Sequence, residues 1–241
     1  MLLKACLNGP RRPADHPALP VTPAELAAAA AAAVAAGAGA LHVHPKDHTG
    51  ADTLDGAAVA AALDAVRAAT PGTPVGVTTG AWAARDPAAR RAAVRGWQVL
   101  PDFASVNWHE DGSTELAADL LDRGVGVEAG LWTPAAVRSW LAWPDRGRCL
   151  RVLLEVMDGA PDPVTAAAAL VDTLGTDPGV PILLHGEGTA AWPVLREAGR
   201  RGLDTRIGLE DTLVLPDGSP APDNAALVTA ALALLHPDAG A

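Results

Sequence analysis

Positive charge is in short supply in this chain. Eighteen Lys and Arg residues stand against 28 Asp and Glu, a formal charge of −10. That deficit excludes a polyanion-binding surface, and so nucleic acid, as the main partner, while leaving room for a local basic patch against one phosphorylated ligand. Cysteine is scarcer still. Cys6 and Cys149 are the only two, both in apolar strand-like runs, and they read as buried reduced thiols of a reducing cytosol rather than a disulfide framework. Long apolar runs are missing too, apart from Ala-rich stretches, and alanine is too weakly hydrophobic to make those stretches membrane spans. Met1-Leu2-Leu3-Lys4-Ala5-Cys6 looks superficially like a lipoprotein cleavage box, but no apolar segment precedes the cysteine. A signal peptide is therefore not expected, and a cytoplasmic protein is. There is no Gly/Ser-rich linker, no GxGxxG and no P-loop, so neither two tethered domains nor an open nucleotide-binding sheet is indicated.

What is present is an alternation. The chain has 241 residues, 49% of them hydrophobic, which suits one large domain over residues 1–241. Short apolar runs at 2–8, 39–44, 74–79, 103–107, 125–130, 149–156, 180–184 and 204–208 read as strands. Longer, Ala-rich segments at 23–37, 56–69, 86–96, 114–123, 134–142, 163–174, 190–201 and 223–235 read as helices. Thr22-Pro23-Ala24-Glu25 carries a capping Thr, Pro at the first helical position and a Glu that reaches back. Asp86-Pro87, Thr133-Pro134 and Asp162-Pro163 repeat the cap-then-Pro form, and Gly37, Gly124 and Gly202 stand where helices stop. Eight strand–helix units without a linker predict a closed (β/α)8 TIM barrel, a fold of about 250 residues.

In such a barrel chemistry sits where strands end and βα loops begin. Here those ends are polar: Asn8 with Arg11 and Arg12, His42 with His44, Thr78 with Thr79, Asn107 with His109 and Glu110, Glu128, Glu155 with Asp158, His185 with Glu187, and Arg206 with Glu210 and Asp211. The opposite strand ends carry little of the kind. His42 and His44 are two apart, so both point to one face. Two structural histidines bonded to neighbouring carbonyls are the alternative to a metal pair. Glu210 favours the metal, since two His and one carboxylate form a ligand set with open coordination positions. Arg206 shares parity with Glu210 on the last strand, and its pairing with Asp211 reads equally as a relay beside the metal or as a plain salt bridge. His109 and His185 are expected as pocket residues. Trp82, Trp108, Trp132 and Trp192 also follow strand ends, either lining a pocket or packing loops.

The order Leu7-Asn8-Gly9, Val21-Thr22-Pro23-Ala24-Glu25 and Gly37-Ala38-Gly39-Ala40-Leu41-His42-Val43-His44-Pro45 resembles the β-keto acid cleavage enzymes, whose founding activity is 3-keto-5-aminohexanoate cleavage. Thr78-Thr79-Gly80, Ser105-Val106-Asn107, Arg206-Ile207-Gly208-Leu209-Glu210-Asp211 and Asp223-Asn224-Ala225-Ala226-Leu227-Val228 continue the likeness over nearly the whole chain. The resemblance implies a zinc barrel that reacts a β-keto acid with acetyl-CoA to give acetoacetate and a new CoA thioester. It implies His42, His44 and Glu210 as metal ligands, Arg206 and Asp211 for the proton transfers and Thr78 against substrate. Asn8, Arg11, Thr79, Asn107, His109, Glu128 and His185 complete the expected substrate pocket. It also implies a homo-oligomer, a tetramer.

Two departures bear on substrate. Pro10-Arg11 stands where the family usually has an acid, and Gly130 stands two residues past Glu128 where a second acid is usual. With Arg11 facing the site, neutral or dicarboxylic β-keto acids are expected over amino-bearing ones. An amidohydrolase-like hydrolase also uses HxH, but on its first strand, whereas here a full strand at 2–8 precedes the motif. A non-catalytic binding barrel is the third reading, and it has no use for an open metal position.

Overall fold

The computed structural model describes residues 1–175 and 177–236. Eight parallel strands alternate with eight helices: β1 (Leu3–Cys6), α1 (Pro23–Ala35), β2 (Ala40–Val43), α2 (Gly56–Ala69), β3 (Val75–Thr78), α3 (Pro87–Arg95), β4 (Phe103–Asn107), α4 (Ser113–Asp122), β5 (Gly126–Leu131), α5 (Pro134–Ala142), β6 (Arg151–Val156), α6 (Pro163–Leu174), β7 (Ile182–Gly186), α7 (Ala191–Arg201), β8 (Thr205–Ile207) and α8 (Asn224–Leu235). The strands pair in the order β7-β6-β5-β4-β3-β2-β1-β8. A parallel bridge between Leu183 and Asp204, with Leu184 N donating to Asp204 O at 2.8 Å, brings β7 against β8. The chain is a (β/α)8 TIM barrel.

The helix starts behave as their residues dictate. Thr22 and Glu25 form a reciprocal capping box on α1, and Asp86, Thr133 and Asp162 each cap a helix that opens with proline. Gly202 ends α7 in the left-handed region, φ 68°.

Alternation along the strands divides the interior in two. Ala5, Leu41, Val43, Val75, Val77, Val106, Val127, Val152, Leu154 and Leu184 face outward and join the helices in one apolar core. The other parity points into the barrel and is mixed. Its floor holds Lys4 and Glu128, both fully buried and 2.5 Å apart. Arg151 lies 3.2 Å from the second oxygen of Glu128 and 3.4 Å from Asp204. Buried charge of this kind holds only when paired. The Lys4 ammonium also lies 5.5 Å from the centre of the Phe103 ring.

β8 and β1 approach closely at the mouth. A Cβ on Gly208 would sit 1.9 Å from the Cys6 carbonyl oxygen, so only glycine fits. No described helix is long and apolar enough to cross a membrane.

Candidate active site

β2 ends at Val43, yet both histidines on either side of it turn into the mouth. Their rings stand edge to face with centroids 5.2 Å apart. Glu210 arrives differently from the way strand parity suggests. β8 stops at Ile207, and residues 208–212 form a turn in which the Asp211 and Thr212 amides both donate to Gly208 O, at 2.9 and 3.0 Å. The Glu210 amide donates to Cys6 O at 3.2 Å, which anchors that turn over β1. Gly9, at φ +57°, lies against it. A Cβ there would come within 2.5 Å of Glu210 Cγ.

The turn brings Glu210 Oε2 to 3.9 Å from His42 Nε2 and 3.6 Å from His44 Nε2. One ligand atom from each of the three residues lies within 4.8 Å of the others. Tetrahedral zinc with bonds near 2 Å separates its ligands by about 3.3 Å, so a small inward shift closes this set on an ion. The donor chemistry fits as well. Glu210 Oε2 is buried without a hydrogen-bond partner. Burial, with the nearby charges of His44, Lys4 and Arg206, holds His42 well below the usual histidine range and therefore neutral. Asn8 positions rather than lines: its Nδ2 donates to His44 O at 2.9 Å, and its Oδ1 accepts from the His44 amide at 2.8 Å. Asp52, which sequence reasoning missed, lies 2.7 Å from His44 Nδ1 and 2.5 Å from Lys46 Nζ. Burial alone would raise the Asp52 carboxyl, but hydrogen bonds from His44 and Lys46 bring it down to about 2. It sits in the loop after β2, eight residues past His44, and no local motif marks it.

Arg206 crosses beside this cluster. Its Nε and Nη2 converge on a single oxygen of Asp211, at 3.0 and 2.8 Å, and Nη2 also reaches Glu210 Oε1 at 3.0 Å. The pair is thus not a two-by-two fork. Asp211 Oδ2 is left buried and unpartnered, and burial raises that carboxyl above its ordinary range. Glu155, from the end of β6, lies 3.9 Å from Arg206 and is pushed up by burial to about 8. His185 is fully buried behind it, 3.6 Å from Glu155 Oε2 and 3.9 Å from Asp211 Oδ1. Desolvation and Arg206 keep His185 uncharged.

Of these groups, His42, His44, Glu155, Arg206 and Glu210 line a cavity of about 290 Å³ together with Pro10, Thr78, Trp82, Ser105, Asn107, Trp132, Leu153, Met157 and Glu187, while Asp211 and His185 are fully buried behind that lining. Several expected pocket residues stand apart from it. Glu128 is spent on Lys4 and Arg151 in the floor. Thr79 Oγ1 donates to Ser105 O at 2.6 Å. His109 is exposed and packs its ring 4.2 Å from Trp132. Arg11 stays at the rim with Nε donating to Leu209 O at 2.6 Å, so Pro10 rather than Arg11 lines the cavity. Of the tryptophans, Trp82 and Trp132 are walls. Trp108 packs on Trp143, and Trp192 donates to Val214 O at 2.9 Å, so both support loops.

Comparison with known families matches residues 1–237 to the beta-keto acid cleavage enzyme family. The chain belongs to the β-keto acid cleavage enzymes. No curated protein matches the sequence. Among solved structures, apo ObcA superposes with a TM-score of 0.69 at 18% identity, over 88% of this chain and 61% of ObcA. ObcA has also been solved with oxaloacetate, TM-score 0.66 at 17% identity over 88% of this chain and 62% of that one. A third ObcA structure is its ternary complex with a C4-CoA adduct and oxalate. The chain therefore spans about three fifths of ObcA's length. The 3-dehydroquinate dehydratase of Geobacillus kaustophilus HTA426 matches with a TM-score of 0.66 at 12% identity, over 99% of this chain and 92% of that one. At such identities the likeness is one of fold.

Proposed function

We propose that this chain is a zinc-dependent β-keto acid cleavage enzyme, exchanging acyl groups between a β-keto acid and acetyl-CoA. R–CO–CH2–COO⁻ and acetyl-CoA would give R–CO–S-CoA and acetoacetate, a balance that needs no further reactant. The observation that carries this reading is the three-ligand cluster of His42, His44 and Glu210 opening onto the cavity beside Arg206 and Asp211. Family membership supports the β-keto acid, and the oxaloacetate and CoA-adduct complexes of ObcA agree with it.

Zinc on these ligands would supply Lewis-acid charge to the carboxylate and β-carbonyl oxygens of the substrate. The chain's own residues do the rest. Arg206 holds one oxygen of Asp211, so the free Oδ2 is the atom that takes and returns the proton. Glu155, whose carboxyl is raised by burial, lines the same cavity and in its protonated form would donate a hydrogen bond to developing negative charge. Thr78 Oγ1 accepts from the Gly80 amide at 3.1 Å, which leaves its hydroxyl proton for substrate. Trp82 and Trp132 wall the cavity and exclude water.

The Ala-rich outer face of α1 and the half-buried leucines of α8 are the surfaces through which the chain would assemble as a homo-tetramer. Light scattering at micromolar concentration tests that, a monomer mass being the contrary result. The direct test of function is a panel of β-keto acids with acetyl-CoA, read by thioester mass. New acyl-CoA with equimolar acetoacetate is expected, and simple hydrolysis of the keto acid without CoA would refute the reading.

A further inference from the structure

The cavity is divided by charge. Glu155, Glu187, Arg206, Glu210 and the two histidines lie on the side of β2 and of β6 to β8. The lining residues from β4 and from the segment after β5, Ser105, Asn107 and Trp132, bear no charge, and β6 beside them adds Leu153, Glu155 and then Met157. Next to Asn107 on β5 is Gly130, its partner in register. Asn107 Oδ1 occupies the place that a side chain there would take, and Trp132 Nε1 lies beside it. An atom at the Cβ position of Gly130 would lie 2.6 Å from Asn107 Oδ1 and 3.5 Å from Trp132 Nε1.

Both atoms have unused capacity. Trp132 Nε1 is buried and has no hydrogen-bond partner, a cost that a native site removes with a ligand or a water. The Asn107 amide is oriented by its Nδ2, which donates to Glu110 Oε1 at 3.0 Å and so aims Oδ1 toward Gly130. That oxygen accepts nothing among the described residues. Glu110 contributes no free charge, because it is ion-paired with the buried Arg90.

We propose that this wall is a subsite for an uncharged hydroxyl on the side chain of the β-keto acid, which donates to Asn107 Oδ1 and accepts from Trp132 Nε1 over the bare Cα of Gly130. The inference rests on the chain being a β-keto acid cleavage enzyme and names the substrate that the site selects. A hydroxyl is the small group that uses a convergent donor and acceptor at once. A methyl leaves both unsatisfied, and an ammonium or carboxylate is desolvated against a wall without a countercharge. The tie between Arg11 and Leu209 O keeps that cation out of the subsite, so a dicarboxylic substrate finds no partner on this wall.

The test uses the zinc-loaded protein and four β-keto acids of equal chain length, ending in methyl, hydroxyl, ammonium or carboxylate. kcat/KM with acetyl-CoA and binding by calorimetry are both measured. The hydroxyl compound is expected to exceed the methyl compound by about tenfold, the worth of one to two net hydrogen bonds, and to exceed the charged compounds by more. Trp132→Phe keeps the ring and removes the donor; Gly130→Ala puts a methyl where Asn107 Oδ1 stands and displaces the acceptor. Each is expected to bring the hydroxyl-to-methyl ratio close to one. A ratio near one in the unmodified protein, or a ratio unchanged in both variants, overturns the subsite. Absence of turnover with the binding order intact overturns the cleavage reading and leaves the subsite standing. Absence of any binding preference overturns the subsite whatever the turnover.

Discussion

His44 Nδ1 lies 2.7 Å from Asp52 Oδ2, and that contact decides which ring nitrogen faces Glu210. An ionised carboxylate can only accept, so the ring proton is held on Nδ1 and the lone pair of Nε2 points at the cluster. Lys46 and Trp82 Nε1, the latter at 2.7 Å, hold Asp52 in turn.

Replacing Asp52 should therefore weaken the metal without touching it. Asp52→Asn is expected to lower zinc affinity by about 10- to 100-fold, the usual effect of losing such a partner. Competition with a chromophoric chelator measures it. Wild-type affinity in the variant would reduce Asp52 to a loop anchor.

His42→Ala removes a ligand outright. The unmodified protein should bind one zinc per chain and the variant none, with activity lost in step. Elemental analysis after gel filtration decides it, and full metal content in the variant would sink the ligand assignment.

Arg206→Ala and Asp211→Asn should keep zinc and lose turnover by a factor of about 100 or more, the range of positioned acid–base groups. Arg206→Lys should restore little. Arg206 reaches Asp211 through two nitrogens and Glu210 through one of them, and a single ammonium cannot occupy those positions together. Steady-state rates beside metal content separate the outcomes, and near-normal turnover would make the pair a structural salt bridge.

The floor of the barrel offers a stability test. Glu128→Ala leaves Lys4 buried without its carboxylate and should cost about 3–5 kcal/mol. Lys4→Met combined with Glu128→Leu should recover most of that loss, since an apolar pair of similar volume replaces the ion pair. Urea unfolding of the three proteins measures it. Full stability in Glu128→Ala would show that this ion pair does not hold the floor together.

Glu155 makes the metal-free protein sensitive to alkali. Its carboxyl is raised by burial from 4.5 to about 8. Between those values the folded state binds more protons than the unfolded chain, so stability falls as pH rises through that window. Burial raises Asp211 as well, which adds to the same slope. Glu155→Gln should flatten the decline in Tm between pH 5 and pH 8, about the span of the shift. An unchanged slope would show that the decline lies elsewhere.

Much of this was legible in the chain itself. Cap residues followed by proline marked the helix starts at Asp86, Thr133 and Asp162 because capping is local chemistry. The polar residues gathered at one end of each strand announced the mouth. His42 and His44 were visible as a pair because their separation by two holds close to a strand whatever surrounds it. Glu210 was legible as an acid just past the last strand, and a turn after Ile207 carries it over β1 toward the histidines.

What the sequence by itself determined was therefore the barrel and its polar end, with His42, His44 and Glu210 as a set that could hold a metal, all consequences of local periodicity and residue type. Tertiary structure alone decided which polar groups meet. Lys4 and Glu128, 124 positions apart, neutralise each other in the floor, so Glu128 leaves the pocket. Arg11 is drawn 198 positions along the chain to Leu209 O and does not line the cavity. Asp52 becomes the partner of His44 through the path of one loop. A charged side chain takes the nearest complementary group that closure of the barrel supplies, and closure joins residues that no local pattern relates.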